Sequence, residues 1–209
     1  SHGNSVMLGL PLGLAHFGPA AAPALALIIA VHSPLLWLIA SVQAEWMSGK
    51  GAVDLGGRFR DLVRDLATNP IVFGVVLGSL WKLTDLGLND VADKTLSLLG
   101  SAGIPASLFA LGASLGRYEV RGGLDAMALV VVMKLLLFPA AAYVLAVHVF
   151  ELPAMTANAA ILIAACPTGA NAFLFAQRYD SAVGPVSASV AIGTVIAALT
   201  ISVLFAVLG

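Results

Sequence analysis

Apolar residues run through this chain in long blocks, and the polar positions between them are few and clustered. Pro19 to Ala44 and Val183 to Gly209 each pass without an Asp, Glu, Lys or Arg. A helical bilayer span needs about 20 apolar residues, so each block is long enough to cross. Seven membrane segments read from the chain, the first of them too short to span on its own. They are Gly3 to Phe17, Pro19 to Ala44, Pro70 to about Leu86, about Val91 to Leu115, about Leu124 to Phe150, about Ala154 to Tyr179, and Val183 to Leu208. The third opens on Asn69-Pro70, a capping residue followed by proline at the first helical position. The first is punctuated by glycine and proline, and the sixth is interrupted at Cys166-Pro167-Thr168-Gly169-Ala170-Asn171. Because the blocks recur to the C-terminal end, a removable leader does not account for them. The pattern predicts an all-α polytopic membrane protein.

The longest polar stretch, Glu45 to Asn69, joins the second and third segments. Phe59, Leu62, Val63 and Leu66 recur in it at helical spacing. Two readings stand: a short helix lying on the membrane interface, or a solvated linker between two halves. Short-loop lysines and arginines set orientation. Lys50, Arg58, Arg60 and Arg64 fall in this loop, Arg117 and Arg121 in the loop after the fourth segment, and Arg178 at the end of the sixth, all on one side. The other side holds only Lys82 and Lys94. The expectation is a cytoplasmic Glu45–Asn69 loop, with the C-terminus outside or in the periplasm.

Composition sharpens the class. Of 209 residues, 60% are hydrophobic and 10% charged, against roughly 45–50% and about 25% in soluble domains. The net charge of -1 offers no basic surface for nucleic acid. Four His and the single Cys166 give neither a metal-ligand spacing nor a disulfide framework, and no cofactor is expected.

Two pairs of segments resemble each other. Gly3-Asn4, a short apolar stretch, Phe17-Gly18-Pro19 and a charge-free span are matched by Ala170-Asn171, Phe173 to Tyr179, Val183-Gly184-Pro185 and a second charge-free span. A shift of five segments is odd, so the copies point oppositely through the membrane, which is an inverted-topology repeat. On this reading residues 1–44 are the last two helices of a first repeat, 45–69 a linker, and 70–209 a complete five-helix second repeat. Three helices of the first repeat would then lie upstream, in a longer protein of about ten helices.

The candidate chemistry sits at helix breakers and at one deep charge. Asn4 to Pro11 and Pro167 to Asn171 put breakers inside apolar segments. Backbone groups freed there cost several kcal/mol in lipid, so such breaks are kept where protein or a wet cavity supplies partners. Half-helix N-termini carry partial positive charge and available N–H groups, and two meeting at mid-membrane make an anion site. A plain proline kink is the bland alternative. Lys134 lies near the middle of an otherwise uncharged run, where a lysine costs about 2.5–3.5 kcal/mol. It either attracts a substrate anion or pairs with a carboxylate elsewhere. His32, mid-segment, is the candidate proton relay, though a buried hydrogen-bonded histidine explains it as well. His16 and His148 near segment ends, Cys166 beside Pro167, and the charges of Asp85, Asp90, Asp93 and Asp180 read as packing or solvated-loop features. Gly112-Ala113-Ser114-Leu115-Gly116 matches the loose serine-hydrolase pattern. No histidine reaches Ser114 in this topology, so the chain is not read as an enzyme.

Five stretches carry a resemblance. They are Gly3 to Leu12, Asn69 to Gly78, Leu108 to Leu115, Lys134-Leu135 with Pro139, and Pro167-Thr168-Gly169-Ala170-Asn171-Ala172-Phe173-Leu174-Phe175-Ala176-Gln177-Arg178-Tyr179. In these the chain resembles the auxin efflux carrier family of permeases, closest to its bacterial malonate-transporter branch. The resemblance implies a ten-helix fold of two inverted five-helix repeats, whose fourth and ninth helices cross where they are interrupted. Segments one and six match those helices, so Asn4, Pro11, Pro167, Gly169 and Asn171 carry over to the substrate site, with Lys134 beside them. It also implies an elevator-type carrier, often a homodimer, in a bacterial inner membrane. The expected function is secondary transport of a small carboxylate, such as malonate or an auxin-like acid, with coupling to H⁺ or Na⁺ left open. The rival is a membrane receptor or scaffold of the same fold that binds an anion without moving it.

Overall fold

The computed structural model describes residues 2–48, 55–68, 70–116, 118 and 123–208. The expectations for Lys50, Asn69, Arg117, Arg121 and Gly209 fall outside the described residues. Helices make up nearly all of what is described: α1 Leu10–Phe17, α2 Ala22–Ser48, α3 Leu55–Thr68, α4 Pro70–Lys82, α5 Asp90–Leu115, α6 Leu124–Val132, α7 Phe138–Tyr143, α8 Ala154–Ala165, α9 Ala170–Arg178 and α10 Val183–Leu208. Five-residue π turns, Ser5–Gly9 and Met133–Leu137, lead into α1 and α7, and a six-residue one, Val144–Val149, follows α7. Four stretches are long and apolar enough to cross a membrane: Pro19–Ala40, Asp90–Ser114, Leu124–Val149 and Val183–Leu208. Ser5–Phe17 and Ala154–Ala165 are apolar but shorter.

Several boundaries differ from expectation, each for a local reason. The second segment continues to Ser48, because Gln43, Ala44, Glu45 and Met47 are good helix formers. The third stops at Lys82. Thr84 Oγ1 donates to Trp81 O at 2.7 Å, and positive φ at Asp85 and Gly87 turns the chain out of the helix. Asp90 and Asp93 are not loop charges but occupy the first turn of α5, where carboxylates favour the positive helix end. Asn89 Oδ1 caps that turn by accepting from Ala92 N at 2.7 Å.

The chain divides into two compact units. One comprises residues 26–98, the other 1–25 together with 99–209. In the first, α3 is followed by α4 one residue on; α3 covers the amphipathic stretch of the 45–69 loop. In the second, α8 is the hub, touching α1, the Met133–Leu137 turn, α7 and α10. Ala157, Ala159, Ile161, Leu162, Ile163 and Ala165 of α8 are buried, as expected of a helix that is apolar all round. α10 meets it and α6 with a face of small residues, including Ser189, Gly193 and Ala197, all buried. A Cβ on Gly193 would lie 3.6 Å from Val131 and 3.8 Å from Pro167, so α10 closes against both α6 and the break in the sixth segment. Small residues at such spacing let membrane helices approach closely.

Candidate functional site

The sixth segment is broken where the sequence places the break. α8 ends at Cys166, whose φ/ψ of -60/136 is extended, and α9 starts after Gly169, also extended. Pro167 has no N–H and cannot continue the helix. The first segment has its break earlier than expected. The chain is bridged at Gly3, turns at Asn4 (φ/ψ -79/56) and enters the π turn at Ser5. Pro11 lies inside a continuous helix, buried at the start of α1. The wider π turn before it accommodates a residue that lacks a donor.

The two non-helical pieces cross and pair. Gly3 and Thr168 form an antiparallel bridge. Asn4 N donates to Pro167 O at 2.7 Å, and Gly169 N donates to His2 O at 2.8 Å. The approach is as close as backbone allows: a Cβ on Gly169 would stand 3.0 Å from Asn4 Cα, Asn4 N and Gly3 O. Glycine is therefore required at position 169 by contact with main chain, not by conformation. The same pairing answers the backbone accounting that lipid imposes on any broken helix.

Two helix N-termini start from this crossing, the Ser5–Phe17 helix and α9. The first N–H groups of a helix have no intrahelical acceptor, so both ends present donors and partial positive charge. Asn4 is 7% exposed, and its amide makes no capping bond to the helix it precedes. Thr168 is 2% exposed, and its hydroxyl has no hydrogen-bond partner among the described residues. Asn171 lies in the first turn of α9 and is exposed.

Lys134 is brought to the same place from the Met133–Leu137 turn. It is 3% exposed. Its Nζ donates to Ala164 O at 3.2 Å, in the last turn of α8, and sits 5.4 Å from the centroid of the Phe138 ring. A Cβ on Gly3 would fall 3.0 Å from Nζ, so the ammonium is tucked beneath the crossing strand. Among the described residues no carboxylate is buried. Buried polar side chains at the crossing are thus the Lys134 ammonium, the Asn4 amide, the Ser5 and Thr168 hydroxyls and the His2 ring, with the starts of two helices and the carbonyl end of α8.

The structure therefore gathers Asn4, Pro167, Gly169 and Lys134, with Asn171 at the rim, while Pro11 lies a turn or more along its helix. His32 belongs to the other unit, half-buried on α2 beside the buried Pro34. Sequence reasoning gave no role to Gly3, Thr168 and Phe138, and missed Gly9 and Gly13. The last two had a legible signal, the Gly9-x-x-x-Gly13 spacing for close helix packing. A Cβ on Gly9 would lie 2.7 Å from Cys166 Sγ, and one on Gly13 2.6 Å from Leu25 Cδ1. Ser114 lies within the continuous helix α5, not on the strand-to-helix elbow that a hydrolase serine needs.

A family described as membrane transport protein matches residues 58–205 of the chain. That span includes Lys134 and the Pro167–Asn171 break. The auxin efflux carrier component 8 of Arabidopsis thaliana is 28% identical over 140 residues, covering 64% of this chain and 38% of the relative. The probable auxin efflux carrier component 5c of Oryza sativa subsp. japonica is 29% identical over 150 residues, 69% of this chain and 40% of the relative. The chain spans about two fifths of the length of these curated relatives.

Proposed function

From the premise that this chain belongs to the membrane transport protein family of the auxin efflux carriers, we propose that it is part of a secondary transporter that binds a small organic anion at the crossing of its two broken helices. One observation carries the reading. The crossing offers donors and positive charge, from two helix N-termini, the Asn4 amide, the Thr168 hydroxyl and the Lys134 ammonium, with no buried carboxylate among the described residues. With the carbonyl end of α8 already met by Lys134 Nζ at Ala164 O, a carboxylate would find charge-assisted hydrogen bonds from these donors.

The substrate is a mono- or dicarboxylate, of the malonate or aromatic-acid kind. Each carboxylate oxygen accepts from an N–H or O–H of the crossing, and Lys134 lowers the cost of bringing negative charge into low dielectric. Transport proceeds by alternating access, the crossing unit moving against the rest so that the bound anion faces each side in turn. The antiparallel pairing of Gly3 with Thr168 supports an arrangement in inverted repeats, with residues 1–44 and 70–209 belonging to different copies. A homodimer in a bacterial inner membrane, driven by H⁺ or Na⁺, completes the reading.

The test is flux. Full-length protein in sealed liposomes should take up one or more of a panel of labelled dicarboxylates and aromatic acids, and Asn4→Ala should reduce that uptake. Saturable binding with no uptake would instead make the protein an anion receptor of the same fold. Neither binding nor uptake across the panel would remove the anion reading.

A further inference from the structure

The break in the sixth segment leaves the last carbonyls of α8 without their helical donors, and the structure fills them one by one. Leu162 O accepts from Cys166 Sγ at 3.3 Å, and Ile163 O from Cys166 N at 3.4 Å. In an unbroken helix Ala164 O would accept from the N–H of residue 168. Here the extended Cys166 and Pro167 carry that residue away into the bridge with Gly3, and Ala164 O accepts instead from Lys134 Nζ at 3.2 Å.

We propose that Lys134 is a positioning residue of the crossing: its ammonium is the C-terminal cap of broken helix α8, standing in for the lost main-chain donor, and Gly3 carries no side chain so that the ammonium has its place. Four observations support this. The ammonium is almost wholly enclosed, at 3% exposure of the residue. A cation at a helix C-terminus meets the negative end of that helix. The Met133–Leu137 π turn holds Lys134 and inserts a wider turn before Pro139, whose missing donor an α-helix would leave as a kink. The Phe138 ring lies close to the ammonium as well, at cation–π distance. The side chain is therefore fixed between a carbonyl, a ring and the Gly3 backbone. It acts on a bound anion through the geometry it maintains, as well as through its charge. That consequence for transport rests on the anion-site reading; the cap itself does not.

Ligand-free amide exchange on the full-length protein in lipid nanodiscs separates the two. The bonds to follow are Asn4 N to Pro167 O and Gly169 N to His2 O. In Lys134→Met, which keeps the stem and removes the donor, exchange of peptides covering 2–9 and 164–172 should speed up by about tenfold or more. Exchange in α4, which belongs to the other compact unit, should not change. Gly3→Ala keeps the charge but drives a Cβ to 3.0 Å from Nζ, and should speed exchange of the same peptides. If Lys134 contributed charge alone, Gly3→Ala would leave residues 164–172 as protected as in the parent, and so would Lys134→Met. Parental protection in Lys134→Met overturns the proposal. Should that variant lose protection in α4 as well, Gly3→Ala becomes the deciding variant, and its parental protection at 164–172 overturns the proposal in the same way. Because no ligand is present, either result leaves the anion-site reading to its own flux test.

Discussion

Asn4 is nearly enclosed at the crossing, yet its amide is not used to cap the helix that begins beside it. An asparagine amide brings two donors and an acceptor to such a site. One amide N–H to a carboxylate in a low-dielectric site is worth roughly 1.5–3 kcal/mol. Asn4→Ala should raise the dissociation constant of the best-transported carboxylate by about tenfold to a hundredfold, read by calorimetry on the full-length protein. Asn4→Asp should bind more weakly still, since it replaces a donor with like charge. Asn171 is exposed in the first turn of α9, so Asn171→Ala should weaken binding by less than Asn4→Ala. Equal, unchanged affinity in both alanine variants would move the anion away from the crossing. The sequence marks both asparagines alike, each next to a breaker. What it does not carry is which of the two the fold encloses, because enclosure depends on contacts more than 130 positions apart along the chain, such as Asn4 with Pro167. Lys134 was legible as an anomaly, a charge deep in an apolar run. Its partner was not, because a main-chain carbonyl has no signature in the sequence.

Among the elements, the interrupted helix in the sixth segment was readable to within a residue or two, since Pro167 removes a donor and Thr168-Gly169 favours extended chain. The π turns were not readable. An i→i+5 turn differs from an α-turn by one inserted residue and leaves no change of apolar period in five residues. The Asn4-to-Pro11 stretch shows the consequence, with the break displaced to Gly3–Asn4 and Pro11 absorbed into helix. The glycines on either side of Pro11 are a packing device. Gly9 and Gly13 form the face that α1 sets against Cys166, Leu162 and Leu25. Gly13→Val would press branched carbons into Leu25 Cδ1, already 2.6 Å from a bare Cβ, and into Leu162. Overpacking of this kind costs about 1–3 kcal/mol, so the thermal midpoint in detergent should fall. Gly78→Ala is the matched control. Gly78 lies in α4 with nothing within 4 Å of its Cβ position, and alanine is the better helix former by about 1 kcal/mol. A midpoint for Gly13→Val equal to that of Gly78→Ala would mean that α1 does not pack on α8 through its glycines.

At the scale of the whole molecule, apolar periodicity reported the fold class and most of the segments, but the side of the membrane that each end occupies follows only from counting crossings. Between Ala67 in α3 and Val207 in α10 lie α4, α5, the Leu124–Val149 rod, the α8–α9 pair and α10. If α8 and α9 together make a single crossing, these five are an odd number and the two positions lie on opposite sides. Lysine and arginine counts then predict a cytoplasmic α3 side, with Arg58, Arg60 and Arg64 in that helix. If instead the break at Pro167 turns α9 back to the side from which α8 entered, the count becomes even and both positions face the same way. Single cysteines at Ala67 and Val207, both at exposed positions, resolve the two. Cys166, the natural thiol, is fully buried against Leu162 O, so an impermeant maleimide should read the introduced positions over a low background. In intact cells of an expressing bacterium, Val207→Cys should label from outside, and Ala67→Cys only after the membrane is opened. Labelling of both from outside would mean that one of the five is re-entrant: the α8–α9 pair, turned back at Pro167, or α4, which at 13 residues is short for a span.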